Sequence, residues 1–226
     1  MYQFDYGDKN GASSEVIIEA FGRQHGIKLD GEHPRLQIDE AVRARMQSLL
    51  ERQGFGKGPV TMIHPGPSWP VREWPRDSWN ALVLELQRRG FPNIIQVGIG
   101  KHLDAGMAAP FYFSGVISMV DKLTLEESIA LISLCDLLIG IDSGLLHIAA
   151  ALRRPAIGIF GPTTPHFRFS ANSSCSFVVS NVDCQGCHHR LPCLHWITGC
   201  PHDIRCMKTI PVSEVVQACL IKLPPA

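Results

Sequence analysis

The stretch Asp142-Ser143-Gly144-Leu145-Leu146-His147-Ile148-Ala149-Ala150 constrains this chain most, because of what flanks it. Residues 137–141 ahead of it are continuously apolar, the pattern of a strand buried on both faces of a parallel sheet. Residues 148–152 behind it read as a helix, which Arg153-Arg154-Pro155 stops. Asp142, Ser143 and Gly144 therefore fall at a strand-to-helix turn. The first N–H groups of a helix have no intrahelical partner, and the helix dipole favours an anion beside them. Gly144 lets a ligand approach the backbone closely, and His147 projects from the same end of the helix. A diphosphate suits this arrangement best. The competing reading needs no ligand: Asp142 or Ser143 serves only as an N-cap and His147 is a satisfied, partly buried histidine.

The company this turn keeps favours the ligand. From Pro59 onward, short apolar runs alternate with helical patterns. Strands are expected at residues 60–63, 94–97, 137–141, 156–160 and 177–179, with a short one at 116–119. Helices are expected at 79–89, from the Thr124-Leu125-Glu126-Glu127 capping box to Cys135, at His147, and at 213–220. Ahead of them, Asp39 caps a helix whose apolar positions Val42, Met46, Leu49 and Leu50 follow a helical period. Strands alternating with helices predict an α/β fold, a parallel sheet covered on both faces with right-handed crossovers. Ligands of such sheets bind beyond the carboxyl ends of the strands.

Four polar loops fall at such ends. His64 to Trp79 carries Gly66, Ser68, Arg72 and Arg76, a set able to clamp phosphate, and its tryptophans can fix an irregular loop against the sheet. Lys101 and Asp104 follow the second strand, where a carboxylate can hold a ribose hydroxyl pair. The third loop is the Asp142 turn. In the fourth, Gly161-Pro162-Thr163-Thr164 offers hydroxyls and N–H groups, although turn chemistry explains it about as well.

Composition narrows the function. Lys plus Arg and Asp plus Glu are both 21, so no basic excess argues for nucleic acid or anionic lipid. Residues 123–152 are the most apolar, yet Glu126, Glu127, Asp136, Asp142 and His147 interrupt them, which argues for a core and not a membrane span. Met1 to Asp8 does not read as a cleaved leader, so a cytoplasmic location is expected.

Eight cysteines without a leader point to a metal site and not to a disulfide framework. Cys184-Gln185-Gly186-Cys187, then Cys193, Cys200-Pro201 and Cys206-Met207, lie in residues 181–208, which lack apolar periodicity. Thiolates at this spacing suit a tetrahedral structural metal, zinc by default. Five cysteines compete for four places, and His188, His189, His195 and His202 are further possible ligands. Cys135, Cys175 and Cys219 read as ordinary thiols.

The residues His64-Pro65-Gly66, Arg72-Glu73-Trp74-Pro75, the Asp142 stretch and Phe160-Gly161-Pro162-Thr163 together resemble the C-terminal half of family 9 glycosyltransferases, which include bacterial heptosyltransferases of lipopolysaccharide synthesis. The resemblance runs from about Asp39 to the C-terminus. It implies a Rossmann-like domain, half of the two-domain GT-B arrangement, that binds a nucleotide sugar such as ADP-heptose for inverting transfer. It places His64, Gly66, Ser68, Arg72, Asp104, Asp142, Ser143, Gly144, His147, Gly161 and Thr163 around the donor, with Arg72 and His147 stabilising the leaving diphosphate and no catalytic metal. It also favours Cys184, Cys187, Cys200 and Cys206 as ligands of a structural zinc or iron. Family members are longer and carry an acceptor domain with a general base. Residues 1–38 are expected to be a linker remnant with a short helix near residues 16–21, and residues 39–226 the donor domain. A missing acceptor domain or a separate subunit is the partner this reading expects. The alternatives are a non-catalytic nucleotide- or partner-binding module on the same fold and, on the cysteines alone, a redox or metal-handling protein.

Overall fold

The computed structural model describes residues 16–29, 34–55, 58–100, 110–170, 172–189 and 199–223. Six strands form one parallel sheet: β1 (Val60–His64), β2 (Asn93–Gln96), β3 (Ile117–Ser118), β4 (Leu137–Ile141), β5 (Ala156–Phe160) and β6 (Cys175–Val179). Their order is β3-β2-β1-β4-β5-β6. The chain therefore reverses its winding between β1 and β4, and a crevice opens beyond the carboxyl ends of these two strands. In register, His64 lies opposite Gly140.

Alternate residues of the strands face two apolar layers. Ile63, Ile139, Ile141, Ile157 and Ile159 pack with helices α3 (Arg76–Arg88) and α7 (Val212–Lys222). Met62, Leu138 and Phe160 pack on the other face, with Leu131, Ile132, Leu146 and Ala149 of α4 (Leu125–Leu134) and α5 (Gly144–Ala151). All five residues of β1, β4 and β5 are buried, as central strands of a two-sided sheet require.

Two helix starts follow directly from the sequence. Asp39 caps α2 (Glu40–Arg52), accepting from the N–H groups of Ala41 at 2.7 Å and Val42 at 3.1 Å. Thr124 and Glu127 close a reciprocal capping box on α4. Short amphipathic α1 (Ile17–His25) ends on Gly26, whose φ of 66° forms a left-handed cap.

Several bounds shift. Helix α3 begins at Arg76, three residues before the expected Trp79, because Pro75 fixes the extended N-cap position ahead of it. Helix α5 begins at Gly144 and not at Ile148, so the whole polar turn sits directly on its first residue. The described parts of residues 181–208, which are 181–189 and 199–208, are less irregular than their composition suggests. They hold a 3-10 turn at Cys187–His189 and the one-turn helix α6 (Arg205–Lys208). Trp74 and Trp79 are fully buried edge-to-face at 5.3 Å, and the Trp74 indole donates to the Ile210 carbonyl at 3.2 Å, tying the loop after β1 to the start of α7. Trp69 stays near the surface beneath Arg72.

Candidate functional site

The loops after β1, β4 and β5 meet at the crevice. At its centre is Asp142, 5% exposed, at the end of β4. It accepts from the Thr163 hydroxyl at 2.8 Å and pairs with an Arg72 guanidinium nitrogen at 3.5 Å. The two charged side chains are 6% and 14% exposed, so solvent screens the pair little. Arg72 is therefore not a solvated surface charge. Its guanidinium carbon lies 4.1 Å from the Trp69 ring, a cation–π contact that fixes the fork from a second side. Burial lowers the Arg72 pKa, Asp142 opposes this, and Arg168 adds to it.

Ser143 occupies the N-cap of α5 with extended backbone, but its hydroxyl does not cap the helix. That oxygen is buried without a hydrogen-bond partner among the described residues. Gly144 is exposed, and a Cβ built on it would meet nothing within 4 Å. The first residue of α5 thus borders open space, with a buried, unused hydroxyl beside it, while the Leu146 N–H turns back to the Ser143 carbonyl at 3.2 Å. His147 is also exposed and stacks on Phe169 with ring centroids 4.5 Å apart and planes 10° from parallel. Desolvation lowers its pKa, against a raising effect of Asp142 and together with a lowering effect of Arg168.

His64 is buried, as Asp142 and Thr163 are. Burial pushes its pKa down to about 4, and its Nδ1 has no partner among the described residues. Gly140 makes room for it: a Cβ there would stand 3.4 Å from the His64 Cβ. A second glycine shapes this floor. Gly98, at φ 154°, leaves space for the Gly66 carbonyl, which a Cβ would approach to 2.8 Å. The unfolded imidazole takes a proton near pH 6.5 while the folded one refuses it until about pH 4. The unfolded state therefore gains protons first as pH falls, and stability drops through that window. This histidine should cost about 2 kcal/mol between pH 7 and pH 5. Urea unfolding at both pH values, compared with His64→Asn, checks this; an unchanged difference in the variant rules out His64 as its source.

Ser68 and Glu73 hold the same loop, the Ser68 N–H donating to the Glu73 carboxylate at 2.9 Å. Burial raises the Glu73 pKa. On the β5 side, Thr163 is fully buried, and its hydroxyl donates to Asp142. Asp104 and Lys101 lie outside the described residues, as do Cys193 and His195.

The cysteine-rich segment is built onto this side of the site. The N–H of Gly186 donates to the Gly161 carbonyl at 2.9 Å, that of His188 to the Pro162 carbonyl at 2.9 Å, and the Gln185 amide to the Thr163 carbonyl at 3.4 Å. Gly186 must be glycine: it has a φ of 69°, and a Cβ would collide with the Thr164 hydroxyl. Burial, with Cys184, Cys187 and Cys200 nearby, pushes the Cys206 pKa up to about 12. Arg205 Nε donates to Cys184 Sγ at 3.4 Å. Among the described residues, no group of three His, Cys, Asp or Glu is arranged to hold a metal ion, and the cysteines are free of disulfides. No helix among the described residues is long and apolar enough to cross a membrane.

One site residue escapes the sequence reading. Arg168 follows a 3-10 turn (Pro165–Phe167), and its Nε is buried without a partner among the described residues. Its only sequence signal is a basic residue between two phenylalanines, shortly after Gly161-Pro162-Thr163.

The sheet is a doubly wound α/β fold, and its switch-point crevice gathers an open helix start, a buried guanidinium and a hydroxyl. The comparisons make this more specific. The sequence model of glycosyltransferase family 9 (heptosyltransferase) matches residues 15–195. The chain is 30% identical over 142 residues to lipooligosaccharide heptosyltransferase 2 of Haemophilus influenzae, covering 59% of this chain and 41% of that protein. Its fold is similar to that of a family 9 glycosyltransferase from Veillonella parvula, with a TM-score of 0.66 at 16% identity, covering 92% of this chain and 60% of that one. It is also similar in fold to the dodecameric iron-containing heptosyltransferase TibC of enterotoxigenic E. coli in complex with ADP-D-beta-D-heptose, with a TM-score of 0.59 at 18% identity, covering 86% and 48%. This chain belongs to glycosyltransferase family 9. It spans about two fifths of the length of the curated Haemophilus relative.

Proposed function

We propose that this chain is the nucleotide-sugar-binding half of an inverting glycosyltransferase, with residues 39–226 as the donor domain and residues 1–38 as linker. The observation that carries the reading is the open space at Gly144, the first residue of α5, beside the buried Arg72–Asp142–Thr163 cluster. The Haemophilus relative is named as a heptosyltransferase and TibC is described in complex with ADP-D-beta-D-heptose. A nucleoside diphosphate heptose is accordingly the donor class proposed here, used in cell-surface glycan synthesis on the cytoplasmic side.

In this reaction an acceptor hydroxyl attacks the anomeric carbon and the bond from that carbon to the diphosphate oxygen breaks. The electron pair stays on the diphosphate. Arg72 and the amides of Gly144 and Leu145 stabilise that charge without reorganising, and His147 donates to a diphosphate oxygen. The hydroxyl proton leaves to a base on the acceptor side, which in this reading a second domain or subunit supplies.

We further propose a structural zinc or iron at Cys184, Cys187, Cys200 and Cys206. The donor set is chemically suited to such an ion, although the four side chains are not arranged around one point: three further thiols, Cys184, Cys187 and Cys200, lie within electrostatic reach of Cys206, and a bound cation would draw all four to thiolates. When bound, the metal would brace the segment that hydrogen-bonds to residues 161–163, and it supplies no catalytic step.

Calorimetric titration with ADP, UDP and GDP tests the donor site. One of the three should bind, and Arg72→Gln should weaken it about 10- to 100-fold, the range of one or two charge-assisted bonds. Failure of all three to bind the folded wild type overturns the reading.

A further inference from the structure

We propose that Arg168 is a second phosphate-binding cation of the donor site, gripping the diphosphate from the β5 side while Arg72 holds it from the β1 side. The inference rests on the donor-site reading above and deepens it. Four observations place Arg168 there.

First, Arg168 is fixed, not trailing. Its N–H donates to the Pro165 carbonyl at 2.8 Å, and the N–H of Phe169 donates to the same carbonyl at 2.9 Å. The loop that carries it is anchored upstream by Thr163 on Asp142. Second, its neighbour Phe169 stacks on His147, which sets Arg168 against the start of α5. Third, its buried Nε has no partner among the described residues, so part of the guanidinium's hydrogen-bonding capacity is unused. Fourth, Arg168 and His147 both line an open cavity of about 620 Å³ between α1 and the flank of α5, so a ligand in it has access to both side chains.

The local charge supports this. The charges acting on Arg72 and on His147 are the same two, Asp142 and Arg168. Arg72 takes the Asp142 carboxylate as its ion-pair partner, and Arg168 adds a second positive charge near it. Holding two like charges together in partial burial is costly unless an anion joins them. A diphosphate carries the charge and the spread of oxygens to bridge two forks, which a monophosphate matches less well.

The experiment is titration of the folded chain with ADP, UDP and GDP, each with its monophosphate, at two salt concentrations. In Arg168→Gln, affinity for the bound diphosphate should fall about 10-fold, with a smaller loss for the monophosphate and a shallower salt dependence. Arg168→Lys should recover part of the affinity. A packing role alone would move neither the salt dependence nor the difference between diphosphate and monophosphate. If wild type binds a diphosphate and Arg168→Gln binds it equally, with the same salt dependence, Arg168 is not a phosphate ligand, and the donor site stands without it. If wild type binds no diphosphate while remaining folded, the donor-site reading itself fails and this inference falls with it.

Discussion

Asp142→Ala will destabilise the fold by about 3–5 kcal/mol and remove nucleotide binding. Asp142 and Arg72 are both largely shielded from water, and the carboxylate also accepts the Thr163 hydroxyl. Deleting it leaves a desolvated guanidinium beside Arg168 with no counter-charge, and a fully buried hydroxyl that has lost this acceptor. Removing one partner of such a pair costs far more than the pair contributes, because the surviving charge stays buried. Asp142→Asn keeps an acceptor for Thr163 and should lose less. Adding Arg72→Met to Asp142→Ala should recover part of the loss, since the orphaned charge is then gone. Urea unfolding of the three variants gives the values. A loss under about 1 kcal/mol in Asp142→Ala would mean that the pair is hydrated and the site looser than described.

The second large effect concerns the cysteines. With a structural metal in place, elemental analysis of protein purified without chelator should find close to one zinc or iron per chain, and Cys206→Ser should lose it. Structural metal sites contribute folding free energy directly, so the variant should unfold several kcal/mol more easily. Its nucleotide affinity should also fall about 10-fold, roughly the effect of one lost charge-assisted bond. The route is specific: Gly186, His188 and Gln185 donate to the carbonyls of Gly161, Pro162 and Thr163, and Thr163 orients Asp142. Less than about 0.2 metal per chain in wild type would remove the metal from the account. Cys219→Ser, on α7 and outside this cluster, is the control.

What the sequence made legible was local. The run before Asp142 announced β4 because five apolar residues bounded by Asp136 and Asp142 are too short for a buried helix and match a strand buried on both faces. Asp39 and Thr124 announced helix starts through their own side chains. The start of α5 was harder, because a glycine and two leucines carry no capping signal and Ser143 does not use its hydroxyl. The pairing of Arg72 with Asp142 was not legible, although each was singled out: they lie in loops after different strands, and only the sheet order brings β1 beside β4. Arg168 was missed for the same reason, since nothing in a short aromatic-basic segment reveals that its neighbour stacks on His147. The attachment of the cysteine segment to residues 161–163 runs mainly through the backbone amides of Gly186 and His188, which side-chain identity does not encode.

The account rests on the first turn of α5 being a seat for diphosphate. A crystal of this chain soaked in the nucleoside diphosphate that titrates best is the most direct measurement. The account predicts phosphate density within hydrogen-bond distance of the Gly144 and Leu145 amides and of the Arg72 guanidinium. Nucleotide bound elsewhere, with the Gly144 amide covered by protein, would contradict it.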